Sequence, residues 1–121
     1  MADELTEKII GAAIEVHREL ETGLLESIYE EALCHEFNLQ EIKFQRQVPA
    51  DIVYKDKVIK GQRLDLIVEN EVVLEIKSYT RPSDVVISQT ISYLKATRLK
   101  RGLIINFGEK RLIDGVKRVS V

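Results

Sequence analysis

The sequence predicts an α/β fold in which a mixed central sheet is flanked by helices, in the order helix, helix, three strands, helix, strand. Three observations carry that prediction. Apolar residues recur at helical spacing over residues 3–20, 25–37 and 84–98. Two β-branched runs, Leu64 to Val68 and Val72 to Ile76, flank the polar triplet Glu69-Asn70-Glu71 as in a β-hairpin. The last helix then leads into the glycine-bounded apolar run Gly102 to Phe107, and a helix between two strands implies a crossover to a parallel neighbour. At 121 residues, the chain suffices for one compact domain over 1–121 and not for two.

The first helix runs from Asp3 to about Leu20, with Leu5, Ile9, Ile10, Ala13, Val16 and Leu20 in one stripe. His17 lies on or beside that stripe and is expected to pack there, since no second metal ligand is near it in sequence. Glu21-Thr22-Gly23 breaks the helix, with Gly23 as turn residue. The second helix spans about Leu25 to Phe37 and presents Leu25, Ile28, Ala32, Leu33 and Phe37 as its apolar face. Glu26 falls in its first turn, where a carboxylate complements the helix dipole. Tyr29, three residues on, is the surface neighbour of Glu26.

Residues 43–54 are expected to be extended, with Pro49 marking an edge or a bulge. After a turn at Lys55-Asp56-Lys57 the chain returns through Val58 to Val68, so residues 44–77 form a three-stranded antiparallel meander. Lys43, Arg46, Lys55, Lys57 and Lys60 stud its outer hairpin, where they would keep a sheet edge soluble. Pro82, Ser83 and Asp84 suit the start of a helix, which runs from about Asp84 to Arg98. Gln89 and Tyr93 share one face of it. Lys95, Arg98, Lys100 and Arg101 gather at its C-terminal end, either as complements to the helix dipole or as phosphate contacts. Residues 110–121 are expected to end in a further short strand.

Composition sets outer bounds. An apolar content of 45% supports a real core, and a net charge of −2 does not advertise nucleic-acid binding. A local basic patch can nevertheless bind nucleic acid while the rest of a surface is acidic. The single cysteine, Cys34, excludes an internal disulfide, and one cysteine with two histidines argues against a zinc site. No apolar run approaches a membrane span and the N-terminus lacks a signal-peptide pattern, so a cytoplasmic protein without a membrane partner is expected.

Three charges interrupt the apolar hairpin. Glu75 and Lys77 are two apart and point to one face of their strand. If Val68 faces Val72 across a three-residue turn over 69–71, Asp65 falls opposite Glu75 and joins that face. A two-residue turn would put Asp65 on the other face, barring a bulge. Two carboxylates at the ends of neighbouring strands make an oxygen-rich site suited to Mg²⁺ or Mn²⁺. An adjacent ammonium can hold a phosphate oxygen or an attacking water. By composition alone, a solvated polar face of an amphipathic hairpin explains the same residues.

The pattern Asp65-x₉-Glu75-x-Lys77 within this order of elements resembles the PD-(D/E)xK nuclease superfamily. Gly23-Leu24-Leu25-Glu26-Ser27-Ile28-Tyr29 is similar to the motif of the GxxExxY proteins, and the likeness extends over nearly the whole chain, through YEEAL, RQVP, GLIINF and RLIDGVKRV. The resemblance implies a restriction-endonuclease-like αβββαβ core. It implies that Glu26, Asp65, Glu75 and the backbone carbonyl of Ile76 bind Mg²⁺ or Mn²⁺, and that Lys77 orients or activates the water that attacks a phosphodiester. Gln89 and Tyr93 match the QxxxY motif of the RecB-like and λ-exonuclease-like branch and, with Tyr29, would position substrate. Leu64 stands where the superfamily's name has a proline. The implied function is a Mg²⁺-dependent nuclease with DNA as the expected nucleic-acid partner. The alternative is a catalytically latent nuclease fold acting as a nucleic-acid-binding or protein-interaction module. A homodimer paired through the Lys43–Lys60 hairpin or the C-terminal strand is a further expectation.

Overall fold

Asp3 caps the first helix, α1 (Glu4–Leu20), in the computed structural model, which describes residues 3–79 and 84–121. Its carboxylate accepts the backbone N–H groups of Leu5 and Thr6, at 3.0 and 3.3 Å, so two of the donors a helix leaves open at its start are satisfied. The elements that follow are α2 (Glu26–Leu39), β1 (Phe44–Pro49), β2 (Ile52–Tyr54), β3 (Lys57–Ile59), β4 (Arg63–Val68), β5 (Val72–Lys77), α3 (Asp84–Thr97), β6 (Arg101–Asn106), a short 3₁₀ turn (Leu112–Gly115) and β7 (Val116–Ser120). The expected start of α3 at Pro82 and Ser83 lies outside the described residues.

The sheet has the order β1-β4-β5-β6-β7. Its first three strands form the antiparallel meander, and Val68 faces Val72 across the three-residue turn Glu69-Asn70-Glu71. Glu69 and Asn70 take left-handed backbone angles there, a conformation that asparagine tolerates well. After α3, β6 joins β5 in parallel, with Val72 opposite Arg101 and Lys77 opposite Asn106. β7 returns antiparallel on the far side of β6.

Two cores sandwich the sheet. Ile9, Ala13, Val16, Leu33 and Phe37 of α1 and α2 pack with Leu66, Leu74, Ile76 and Ile105 on one face. Val86, Tyr93 and Leu94 of α3 pack with Ile67, Val73 and Ile104 on the other. The strands of the centre therefore read as nearly unbroken apolar runs, as strands covered on both faces must. Cys34 is buried in the first core, where burial pushes its thiol up to about 11. His17 packs at that core's edge, its Nε2 2.9 Å from the Glu109 carbonyl.

The structure departs from the sequence expectation in two places. The strand expected over 43–54 ends at Pro49, and the return expected from Val58 to Val68 is interrupted at Lys60-Gly61-Gln62. Ala50 N–H donates to the Gln62 carbonyl at 2.8 Å and closes the sheet there, leaving β2 and β3 as a separate two-stranded ribbon. On α2 the buried face is Tyr29, Leu33, Cys34 and Phe37, whereas Leu25 and Ile28 are exposed. At 3.6 residues per turn, Ile28 lies about 140° from the middle of a face built on 29, 33 and 37, and Leu25 is the extended residue that precedes the helix.

Two glycines give opposite predictions. A Cβ on Gly108 would lie 1.9 Å from the Tyr79 carbonyl oxygen, whereas one on Gly11, inside α1, would meet nothing within 4 Å. Gly11→Ala should raise stability by about 0.5–1 kcal/mol by removing unfolded-state freedom. Gly108→Ala should lower it by roughly 2 kcal/mol or more, because backbone must move. Urea unfolding of the two variants checks both signs.

Candidate active site

β4 and β5 pair through their backbones only from Leu66 to Val68 and from Val72 to Leu74. Beyond that point side chains take over. Asp65 N–H donates to the Glu75 carboxylate at 2.8 Å, and Ile76 N–H donates to the Asp65 carboxylate at 2.8 Å. Each carboxylate thus accepts a backbone donor of the opposite strand, a role that buried N–H groups require something to fill. Val72, Leu74 and Ile76 face α1 and α2, so Val73, Glu75 and Lys77 face α3. Phe107 N–H bonds the Lys77 carbonyl at 2.8 Å on the β6 side. Strand alternation therefore directs the Ile76 carbonyl to the β4 side, toward the carboxylates.

The other flank of Asp65 is also opened. β1 pairs with β4 at Arg46–Leu66 and again at Val48–Leu64, but Gln47 and Asp65 between them are not paired. Gln47 has φ 51°, a left-handed conformation that costs a non-glycine residue on the order of 1–2 kcal/mol. A buried anchor holds it there. The Glu30 carboxylate, 8% exposed, accepts from the Gln47 amide at 3.0 Å and from two nitrogens of Arg46 at 2.8 and 3.1 Å. Glu31 takes a third Arg46 nitrogen at 2.9 Å. The segments YEEAL and RQVP are in this way docked on each other beside Asp65.

Burial makes the carboxylate pair costly to ionise. Glu75 is 2% exposed, and burial, with the nearby Asp65 charge, pushes its carboxyl up to about 8. Burial also raises Asp65, against the opposing pull of the Ile76 N–H and the Lys77 ammonium. Tyr93, buried on α3, is pushed up to about 12 by burial and by the charges of Glu75 and Asp65, so its hydroxyl lies within their field. Gln89, half-buried, stands one turn earlier on the same helix. Lys77 lines a cavity of about 110 Å³ with Tyr79, Val86, Ile87 and Asn106 among its walls.

The structure sorts the remaining candidates. Glu26 starts α2 exposed to solvent, near enough for its charge to raise both Asp65 and Glu75. Among the described residues no three Asp, Glu, His or Cys side chains form a cluster able to hold a metal ion. Tyr29, expected to help position substrate, is fully buried and stacked on Phe107 at 4.5 Å. Its hydroxyl donates to the Glu21 carbonyl at 2.5 Å and accepts the Leu24 N–H at 3.3 Å. It therefore holds the Gly23 loop, where φ is +100°, and with it the start of the helix that carries Glu26. Ser78 fastens the same loop to the end of β5 through a 3.0 Å bond to the Leu24 carbonyl.

Lys95, Arg98, Lys100 and Arg101 lie elsewhere. α3 leaves β5 at its Lys77 end and returns the chain to Arg101, opposite Val72, so this group sits at the other end of the strands. Arg101 is committed to ion pairs with Asp3 and Glu71. Three residues with a part in the site's framework were missed in the sequence: Glu30, Gln47 and Asn106. Asn106 accepts the Tyr79 and Gly108 N–H groups, at 2.8 and 3.0 Å, and donates to the Tyr79 carbonyl at 3.2 Å, fixing the chain just after Lys77. A lone polar residue in the apolar run GLIINF was its visible signal.

The raised Glu75 carboxyl predicts a stability that falls with pH. The folded protein holds the Glu75 proton up to about pH 8, whereas the unfolded chain releases it near 4.5. The folded state therefore binds more protons across that interval, and stability is lost as pH rises through it. Without divalent cations, the melting temperature should drop by roughly 5 °C or more between pH 5.5 and 8.5. Glu75→Gln should flatten that slope, and calorimetric melting across the interval checks it.

A protein-family model described as the PD-(D/E)XK nuclease superfamily matches residues 3–119. No curated protein and no solved structure matches the chain. The match covers both cores, the sheet as far as Val119 and the Asp65, Glu75 and Lys77 positions. The chain belongs to the PD-(D/E)XK nuclease superfamily.

Proposed function

We propose that the protein is a Mg²⁺- or Mn²⁺-dependent nuclease that hydrolyses phosphodiester bonds of DNA. The observation that carries this reading is the buried Asp65–Glu75 pair, with Lys77 on the same face. The pair fits a hard cation. Asp65 Oδ2 and Glu75 Oε2 each take one backbone N–H, which leaves each carboxylate a second oxygen, and the Ile76 carbonyl is directed to the same side. Mg²⁺ is commonly held by one or two carboxylates, keeping waters and substrate phosphates for its other positions. When bound, such an ion would offset charge growing on the phosphate oxygens and favour hydroxide over water.

The chain's own residues supply the rest. Lys77 places a positive charge beside the pair and offsets part of the burial that raises both carboxyls, which eases their ionisation as ligands. Its ammonium would hold the attacking water or a nonbridging phosphate oxygen. Glu26 would add negative charge at the mouth of the site without burial. Tyr93, with its hydroxyl in the carboxylates' field, and Gln89 on the same helix face support the RecB-like and λ-exonuclease-like placement. The Gly23 loop, Glu26 and the Tyr29 clamp support the finer assignment to the GxxExxY proteins.

Purified protein should cut duplex or single-stranded DNA with Mg²⁺ or Mn²⁺ and not in EDTA. Lys77→Ala and Asp65→Ala should each lower the rate by roughly 10²-fold or more. No cutting of any DNA or RNA by the wild type would give the lead to the alternative, a latent nuclease fold that acts as a binding module.

A further inference from the structure

The β2–β3 ribbon contributes no residue to either core. Every residue from Val53 to Lys60 is exposed, including Val53 at 69%, Tyr54 at 60% and Val58 at 52%. Its two strands pair only with each other, through Ile52–Ile59, Val53–Val58 and Tyr54–Lys57. A two-stranded ribbon alone gains little from its own pairing, and apolar side chains on both of its faces do nothing for the fold in that position.

Its location connects it to the site. The ribbon leaves β1 after Pro49 and re-enters β4 at Arg63, two residues before Asp65. It therefore extends from the end of the sheet that carries the carboxylate pair. Its charge also differs from that of its surroundings. Residues 51–63 contain Lys55, Lys57, Lys60 and Arg63 against Asp51 and Asp56, a net +2. The whole chain is −2, so the remaining residues sum to −4. Lys60 is paired with Asp51 at 3.0 Å, and the Lys55 ammonium lies 5.5 Å from the centre of the Tyr54 ring. Lys55 and Lys57 at the tip are thus the cations best placed to meet an external anion.

We propose that this ribbon is a DNA-contacting arm that enters the major groove of B-form duplex beside the bond to be cut. This deepens the nuclease reading and rests on it. Two strands lie about 4.8 Å apart, and with their side chains they fit a major groove roughly 12 Å wide and 8.5 Å deep. Lys55 and Lys57 would meet the phosphates, while Val53, Tyr54 and Val58 would lie against base edges and thymine methyls. The deep, narrow major groove of A-form RNA does not admit such a ribbon, so the arm selects DNA. A second copy of the chain is a poorer occupant, since a stable interface takes roughly 20–30 residues a side and the ribbon has eight.

Fluorescence anisotropy in EDTA tests this without relying on cleavage. The probes are a 20-base-pair DNA duplex, an RNA duplex of the same sequence and single-stranded DNA. The wild type should prefer the DNA duplex. Lys55→Glu combined with Lys57→Glu should weaken that binding about tenfold or more and reduce the slope of log affinity against log salt by about two. Replacing residues 52–59 by a short glycine linker should remove the preference for DNA over RNA, and the melting temperature reports whether each variant is folded. Unchanged affinity and salt slope in both folded variants would overturn the arm, as would equal wild-type binding to the RNA duplex. Sedimentation showing a wild-type dimer that both variants dissociate, with DNA affinity unaltered, would assign the ribbon to a second copy instead. If the variants lose DNA binding but the wild type cuts nothing, the arm stands and the nuclease reading fails. If Lys77→Ala abolishes cutting while the ribbon variants bind as before, the nuclease reading stands and the arm fails.

Discussion

Two carboxylates replace backbone pairing at the end of the central hairpin. Asp65 gives its N–H to Glu75 and takes the N–H of Ile76, so β4 and β5 stay joined by side chains where their ladder has stopped. Much of the surrounding structure serves that exchange. A normal ladder would occupy the Ile76 backbone groups and leave no reason to bury acids there. Burial in turn makes both acids resist ionisation, with Glu75 pushed up to about 8. Without a neighbour of positive charge, such a pair would be among the least favourable features of the fold. Lys77 relieves part of that cost, and a divalent cation would relieve more.

The framework holds the pair from three sides. Glu30 fixes Gln47 in its left-handed conformation and so keeps β1 from closing on Asp65. Tyr29 and Ser78 tie the Gly23 loop to the sheet and bring the start of α2 over the site. Asn106 and Gly108 clamp Tyr79 and thereby the strand end behind Lys77. None of these groups needs to touch a substrate. Each acts by fixing where the acids and the ammonium stand, and small displacements of such groups are costly to catalysis.

Much of this was legible in the residues. The two β-branched runs with a polar triplet between them announced the hairpin, but the face of Asp65 stayed conditional on the turn length, and the pairing of Val68 with Val72 decides it. The glycine-bounded run at 102–107 announced the parallel strand, because no short loop can connect parallel neighbours. The ribbon was not legible. Val53, Val58 and Ile59 have the composition of sheet strands, and only the bond between Ala50 and Gln62 shows where the sheet stops. The burial of Tyr29 was not legible, because helical spacing places it beside Glu26 but is silent on which of the two turns inward. The cations at 95–101 were separated from the acids by topology, since a helix that crosses back carries its C-terminus to the opposite end of the strands. Gln47 was beyond reach, as glutamine has no preference for a positive φ and only tertiary anchoring by Glu30 accounts for it.

Mn²⁺ binding measured by titration calorimetry at pH 7, in two buffers of different ionisation enthalpy, tests the carboxylate pair most directly. If burial holds a proton on Glu75 in the metal-free protein, binding should release close to one proton per ion. Glu75→Gln should abolish that release and weaken the binding. Absence of Mn²⁺ binding, or binding that releases no proton and survives Glu75→Gln unchanged, would contradict the account.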